Sequence, residues 1–248
     1  MVLCRIGTGN MEAEMETIRQ SMRGARGKLF SGKYARPILI AFLVAMFNQL
    51  SGINAILYYA PRIFELTGLS AADSMLQPVL IGITNGIFTM LGLIIIDKVG
   101  RRKLLIVGSI GMAVCLGLTA KAFHDQSFHG YSLLIFLTGY IIFFAFSTGA
   151  VIWVLISEVF PNAVRGQGQS LGSFTHWFFA AIITFIFPVM VEKGENGAAC
   201  AFTLFAVAMV VQAIVVWRYF PETKGKTLEQ LGDELSVKNI EQSKKMEV

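Results

Sequence analysis

Charged residues are scarce in this sequence. Of its 248 residues only 15% are Asp, Glu, Lys or Arg, whereas 54% are hydrophobic; soluble domains usually carry about 25% charged residues. Six stretches contain no charged residue: Pro37–Ala60, Ser74–Ile96, Leu104–Ala120, Gly130–Ser157, Gly166–Val191 and Asn196–Trp217. Each is near or above the roughly 20 residues that an α-helix needs to cross a bilayer. The composition therefore excludes an ordinary soluble domain and predicts an all-α membrane protein with six transmembrane helices.

Cysteines and catalytic motifs are also scarce. Cys4, Cys115 and Cys200 are too scattered along the chain to indicate a disulfide framework or a metal-binding spacing. The sequence shows no Ser/His/Asp set, no His/Glu metal motif and no glycine-rich phosphate loop. We therefore expect no metal, no cofactor and no enzymatic activity.

The basic residues are distributed unevenly between the predicted loops. Of the 21 basic residues, all except Arg62, Lys121 and Lys193 lie before span one, between spans two and three, between spans four and five, or after span six. Because cytoplasmic loops are enriched in Lys and Arg, we expect both termini in the cytoplasm. We also expect a multi-pass protein of the plasma membrane. The net charge is +5, but no basic stripe interleaved with aromatic residues accompanies it, which argues against a nucleic-acid partner.

The chain divides into three regions. Residues 1–36 are polar, with apolar residues at helical spacing, and predict a cytoplasmic amphipathic helix followed by a linker. Residues 37–220 hold the six-helix transmembrane bundle, and residues 221–248 form a cytoplasmic tail. Thr227 and Gln230 have the spacing of a capping box, which predicts a short helix in this tail.

The six spans divide into two groups of three, and the first span of each group is interrupted. Span one carries Ser51 and Gly52 near its middle, and span four carries Ser147, Thr148 and Gly149. Interrupted helices at matching positions of an internal repeat are typical of a transporter's binding region, although a glycine in an apolar helix often serves only close helix packing. The pairing favours a 3+3 inverted repeat.

Uncharged polar side chains take the place of charged ones inside the spans. Asn48, Gln49 and Asn54 lie in span one, Asn85 in span two and His176 in span five. Amides offer donors and acceptors without net charge, which suits a ligand with many hydroxyl groups, such as a sugar. A lone Asn or His in a span often only binds a neighbouring helix, so both readings stay open for each single residue.

Aromatic side chains accompany these polar groups. Trp153 in span four and Trp177 in span five present flat apolar faces on which the C–H face of a sugar ring can rest. A lone Trp is also a common anchor at the membrane interface. Tyr58 and Tyr59, near the outer end of span one, fit an aromatic belt as well as they fit a gate.

Charges gather at the predicted cytoplasmic ends of the spans. Glu158 lies at the membrane edge, where an unpaired carboxylate is costly, so we expect it to pair with an arginine. The candidates are Arg101, Arg102 and Arg165, and Asp97 lies in the same loop as the first two. Such a network can act as a latch that differs between two states of a bundle. The alternative is that these charges only set the topology.

Four motifs, in this order, resemble those of the C-terminal half of the sugar porter family in the major facilitator superfamily. They are Gln49-Leu-Ser-Gly-Ile-Asn54 with Tyr58-Tyr59, Asp97-x-x-Gly-Arg-Arg102, Glu158-x-x-Pro161-x-x-x-Arg165-Gly166 with Ser170, and Pro221-Glu-Thr-Lys-Gly-Lys226-Thr-Leu-Glu229. The resemblance covers nearly the whole chain. It implies that the six spans are helices seven to twelve of a twelve-helix carrier, and thus one half of such a bundle.

The resemblance also implies roles for single residues. The substrate-binding residues that we predict are Gln49, Asn54, Asn85 and Trp153, with Asn48, Trp177 and His176 beside them. The gating residues that we predict are Tyr58, Tyr59, Asp97, Arg101, Arg102, Glu158 and Arg165.

The resemblance finally implies a function and a partner. A complete carrier of this family has two six-helix halves, whereas Gly-Arg-Arg occurs once in this sequence. We therefore expect a missing or separately encoded N-terminal six-helix half as a partner, besides the lipid bilayer. The expected function is transport of a monosaccharide, a hexose or a pentose, by alternating access, as a symporter or a uniporter. The alternative is a truncated membrane fragment that is transport-inactive or regulatory.

Overall fold

The computed structural model describes residues 28–65, 71–127, 132–194 and 196–225. Their α-helices are α1 (Ala35–Leu50), α2 (Ile53–Glu65), α3 (Ala71–Val99), α4 (Arg101–His124), α5 (Ser132–Phe144), α6 (Ala150–Glu158), α7 (Arg165–Val191) and α8 (Gly197–Tyr219). A 3-10 turn, Gly32–Tyr34, precedes α1, and a π-helix, Ala145–Gly149, joins α5 to α6. The short helices predicted in residues 1–36 and 221–248 lie outside the described residues.

Six segments are long and apolar enough to cross a membrane, as the sequence predicts. They are Gly32–Glu65, Leu76–Val99, Arg101–His124, Ser132–Glu158, Arg165–Val191 and Gly197–Tyr219. Several helices extend beyond the uncharged stretches and include charged residues at their ends, such as Glu65 in α2 and Lys98 in α3. The prediction of an all-α protein with six transmembrane spans is confirmed.

Spans one and four are the interrupted ones, also as predicted. Span one stops being helical at Ser51 and Gly52, where Gly52 has a φ of 82°, a conformation that a residue without a Cβ adopts most easily. Span four widens into the π-helix between α5 and α6, and such bulges often occur at functional sites.

The two breaks lie between two apolar cores. One core lies on the side of α2 and contains Ile56, Phe64, Met112, Tyr140 and Phe202. The other core lies toward the loop that joins α3 to α4 and contains Leu105, Val151, Phe160, Val216 and Phe220.

Along each of spans one, four and six, buried polar residues fall between the residues of these two cores. The buried polar residues at this level are Asn48, Gln49, Ser51, Ser147, Thr148 and Gln212. The fold therefore places a polar layer inside the bundle.

Candidate functional site

The break in span one is fixed by contacts from two other spans. The hydroxyl oxygen of Tyr140 lies 3.0 Å from the carbonyl oxygen of Ser51 and 3.2 Å from its Oγ. The Ser51 hydroxyl in turn donates to the carbonyl of Asn48 at 2.6 Å. A Cβ at Gly52 would meet the ring of Phe205 from span six. These contacts hold the end of α1 and the start of α2 in one geometry, so the amides on either side of the break have fixed positions.

Three of the predicted amides form a continuous hydrogen-bonded chain across the break. Gln49 donates through Nε2 to Oδ1 of Asn48 at 3.0 Å, and Asn54 donates through Nδ2 to Oε1 of Gln49 at 3.0 Å. Asn48 itself donates to the carbonyl of Thr148 in the π-helix at 3.5 Å. We call Asn48, Gln49 and Asn54 the amide chain. It joins the break in span one to the break in span four.

His176 and two tryptophans complete this cluster from spans four and five. Nε2 of Gln49 lies 3.1 Å from Nε2 and 3.2 Å from Nδ1 of the His176 ring. The centroid of that ring lies 5.0 Å from the Trp153 ring and 5.2 Å from the Trp177 ring. Trp153 and Trp177 keep 45% and 61% of their surface exposed, while Gln49 keeps 1%. Buried amides thus lie behind aromatic faces that remain accessible.

The other predicted substrate and gate residues lie around this cluster. Asn85 on α3 is half-buried, and its Oδ1 is a buried acceptor without a hydrogen-bond partner among the described residues. The structure does not join Asn85 to the amide chain. Tyr58 is 60% exposed, whereas Tyr59 donates its hydroxyl to the carbonyl of Thr184 at 3.2 Å and so connects span one to span five.

A second cluster lies where α3, α4 and α6 end or begin. Arg101 donates to Glu158 through Nη2 at 2.7 Å and through Nε at 3.2 Å, and its Nη1 lies 2.9 Å from Oδ1 of Asp97. Arg101 and Glu158 are largely buried, with side-chain exposures of 11% and 21%. A bidentate pair between a guanidinium and a carboxylate has a strict geometry, so this contact fixes the end of span four against the start of span three.

The two other candidate arginines do not pair with Glu158. Arg102 donates through Nη2 to the carbonyl of Trp217 at the end of span six. Arg165 donates through Nε to the carbonyl of Phe160 at 3.4 Å, and its Nη2 is buried without a partner among the described residues. The expected pairing of Glu158 with one of three arginines is therefore realised by Arg101.

Residues after span six also belong to this cluster, although the sequence did not predict a role for them there. Thr223 donates its hydroxyl to Oε2 of Glu158 at 2.6 Å, and Oε1 of Glu222 accepts from the backbone N–H of Arg101 at 3.0 Å. Lys224 donates to the carbonyl of Lys98 at 2.5 Å. The signal that points to them is the Pro221 to Glu229 motif. We call Asp97, Arg101, Glu158, Glu222 and Thr223 the charge cluster.

Neither cluster has the composition of a metal centre. Among the residues that the structure describes, no three His, Cys, Asp or Glu side chains lie close enough together to hold a metal ion. The first cluster instead presents neutral amides and indoles, which recognise polar uncharged molecules through hydrogen bonds and stacking.

Comparison with known proteins agrees with this chemistry. The family model described as "Sugar (and other) transporter" matches residues 6–235. The D-xylose-proton symporter of Escherichia coli (strain K12) is 37% identical over 200 residues, which are 78% of this chain and 40% of that protein. The arabinose-proton symporter of Bacillus subtilis (strain 168) is 32% identical over 235 residues, which are 93% of this chain and 50% of that protein.

Solved structures of the major facilitator superfamily match the fold. A proton:xylose symporter bound to 6-bromo-6-deoxy-D-glucose aligns with a TM-score of 0.72 at 36% identity, over 80% of this chain and 42% of that one. The inward-open xylose transporter from E. coli aligns with a TM-score of 0.74 at 32% identity, over 94% of this chain and 48% of that one. The chain spans about half the length of the relatives that it matches.

Proposed function

The chain belongs to the sugar porter family of the major facilitator superfamily, and from that premise we propose that it binds a monosaccharide and supplies one six-helix half of a carrier. The observation that carries this proposal is the amide chain beside the accessible faces of Trp153 and Trp177. Relatives named for xylose and arabinose transport support a pentose as the substrate, and the related structure with a bound glucose derivative supports a hexose. Gln49, Asn54 and Trp153 are then the central sugar contacts, with Asn48, Trp177 and His176 next to them.

The binding strength that this site offers is appropriate for transport. A dissociation constant near 1 mM corresponds to only about 4 kcal/mol. A few hydrogen bonds of about 1 kcal/mol each, together with one stacked ring face, reach that value. Weak binding lets the sugar leave on the far side of the membrane.

We propose that the two breaks and the charge cluster allow the carrier to work by alternating access. The breaks in spans one and four let the halves of each span tilt separately. The charge cluster joins the ends of spans two, three and four to the segment after span six, so the cluster must break when those ends separate. We propose that Arg101 and Glu158 close the cytoplasmic side in one state of the carrier. Arg102 and Arg165 stay proposed members of this gate, as Tyr58 and Tyr59 do at the opposite end.

The partner that we propose is a six-helix half opposite the amide chain. Spans two and five are the least buried, because only 17% of the most apolar segment of each lies inside the bundle. Span two carries Asn85, and span five carries Trp177. A second half packed there would enclose the accessible tryptophans and give the site its other wall. Asn85 would then bind the sugar or that second half.

A reconstitution experiment tests the proposal. The chain is placed in liposomes alone, and also together with the first six helices of the E. coli D-xylose-proton symporter, and uptake of radiolabelled D-xylose, L-arabinose and D-glucose is measured. We expect uptake of at least one of these sugars in the completed carrier. If the completed carrier inserts correctly but takes up none of them, the chain is the transport-inactive or regulatory fragment instead.

A further inference from the structure

We propose that His176 is a positioning residue whose proton sets the direction of the hydrogen bonds along the amide chain, and that sugar binding therefore depends on pH. This inference rests on the proposed function of the same site. It concerns the one residue of the cluster that can change its charge under ordinary conditions.

The amide of Gln49 has contacts on both of its ends. Its Nε2 donates to Oδ1 of Asn48 at 3.0 Å and lies 3.1 and 3.2 Å from the two ring nitrogens of His176. Its Oε1 accepts from Nδ2 of Asn54 at 3.0 Å. With the amide of Gln49 in this orientation, His176 must accept the hydrogen bond that Nε2 of Gln49 donates. A neutral imidazole has one unprotonated nitrogen and can do so in either tautomer, because Nε2 of Gln49 reaches both nitrogens.

An imidazolium cannot accept a hydrogen bond, since both of its ring nitrogens carry protons. If His176 is protonated, the NH2 group of Gln49 faces two donors. Gln49 must then turn its oxygen toward the ring, which puts its NH2 group against the NH2 group of Asn54 and its oxygen against the oxygen of Asn48. Both neighbours would have to turn as well, so the direction of the whole amide chain would reverse.

A backbone carbonyl opposes that reversal at the other end. Asn48 donates through Nδ2 to the carbonyl of Thr148 at 3.5 Å, and Asn48 is 2% exposed. Turning Asn48 would place its oxygen against this carbonyl, two acceptors facing each other. Thr148 belongs to the π-helix, and its carbonyl cannot become a donor. The proton on His176 and the carbonyl of Thr148 therefore demand opposite directions of the amide chain, and the protonated site has to break at least one of its hydrogen bonds.

Among the residues that the structure describes, no charged side chain faces His176 to balance a proton. The ring is flanked by Gln49 from α1, by Trp153 from α6 and by Trp177 on its own helix. The charged residues of the helices packed against α7 lie near helix ends; they are Arg36, Arg62, Glu65, Glu158 and Arg218. The remaining titratable residues of those helices are Tyr58, Tyr59, Cys200 and Tyr219. Glu158 is held by Arg101, so the faces of the two tryptophans are the partners available to an imidazolium.

The consequence for binding follows from the atoms that Asn54, the half-buried end of the amide chain, offers to a sugar. With neutral His176, Nδ2 of Asn54 donates to Gln49, and the oxygen of Asn54 is left to accept from a sugar hydroxyl. With protonated His176, the turned Asn54 uses that oxygen to accept from Gln49. The site then loses an acceptor and one or more of its internal hydrogen bonds. We expect sugar affinity to be roughly tenfold lower at acid pH, the effect of losing about one such bond.

The first test detects the proton without any sugar. Because Trp153 and Trp177 lie about 5 Å from the ring, an imidazolium should quench their fluorescence. We expect the emission of the purified chain in detergent to fall in a single titration as the pH is lowered. His176→Gln should remove this titration, whereas His124→Gln, at the exposed end of span three, should retain it. A titration that is unchanged in His176→Gln would overturn the proposal.

The second test measures the affinity of the completed carrier for D-xylose at one pH above and one pH below the midpoint of that titration. We expect roughly tenfold weaker binding at the lower pH when His176 is present. His176→Ala should bind weakly at both pH values. His176→Gln can donate and accept, so its affinity should be restored and should be equal at the two pH values. Equal affinity of the completed carrier with His176 at both pH values would overturn the proposal, whereas a completed carrier that titrates but binds no sugar at either pH contradicts the proposed function instead.

Discussion

Gln49 is the residue on which the candidate site depends most. Its amide contacts Asn48, Asn54 and His176 at once, and it is 1% exposed. The sequence predicted the residue types of this cluster, because amides are conspicuous in an uncharged span. It did not predict which of them touch each other, since a hydrogen bond depends on ångström-scale placement that the break in span one provides. Asn85 illustrates the limit, because it was predicted by the same reasoning and is not joined to the amide chain.

Truncation of Asn54 should weaken sugar binding. Asn54→Ala removes one of the proposed sugar contacts, and hydrogen bonds contribute about 1 kcal/mol each. We expect at least about a tenfold loss of sugar affinity, measured as the concentration dependence of uptake in the completed carrier. Asn196→Ala is the matched control, since Asn196 is an exposed amide that makes no capping hydrogen bond at the start of α8. Equal losses in both variants would count against the site assignment.

At the scale of elements, the two interrupted spans were predicted at the correct residues, but the form of each interruption was not. Ser51 and Gly52 form a turn that Tyr140 and Phe205 hold in place. Ser147, Thr148 and Gly149 instead lie in a π-helix, which keeps the span continuous. Glycine in an apolar run signals an interruption, whereas the choice between a turn and a bulge depends on packing from other spans. That packing is not encoded in the local sequence.

A Cβ at the break in span one should destabilise the bundle. Gly52→Ala places a side chain at a φ of 82° and against the ring of Phe205. The backbone strain alone costs about 1–3 kcal/mol, so we expect a lower unfolding temperature in detergent and weaker sugar binding. Gly82→Ala in span two serves as the comparison, because a Cβ there meets no atom within 4 Å and alanine favours the helix. A Gly52 variant as stable as the Gly82 variant would contradict the fixed break.

At the scale of the whole molecule, the charge cluster connects the ends of spans that are far apart along the sequence. The sequence left three arginines as possible partners of Glu158. The structure shows that Arg101 is the one whose side chain reaches it. Glu222 and Thr223 were missed because the sequence does not show that the segment after the last span folds back against Arg101 and Glu158. Six spans, by contrast, follow from composition alone, since the bilayer demands about 20 apolar residues each time. The division into residues 1–36, 37–220 and 221–248 stays a prediction.

Weakening the charge cluster should change which side of the carrier is open. Glu158→Gln replaces the carboxylate that Arg101 and Thr223 bind and removes a largely buried ion pair. We expect the completed carrier to shift toward inward-facing states, seen as faster labelling of thiols introduced on the cytoplasmic side. Glu65→Gln, in an exposed pair with Arg62 at the other end of span one, should leave labelling unchanged. If both variants label at the same rate as the unaltered carrier, these charges do no more than set the topology.

The central claim is that neutral amides and indoles of spans one, four and five form a sugar site between the two breaks. The most direct measurement is a cryo-electron microscopy structure of the completed carrier with D-xylose at saturating concentration. We predict sugar density within hydrogen-bond distance of Gln49 or Asn54 and against the face of Trp153. Sugar bound elsewhere in the carrier, with these side chains still bonded only to one another, would contradict the account.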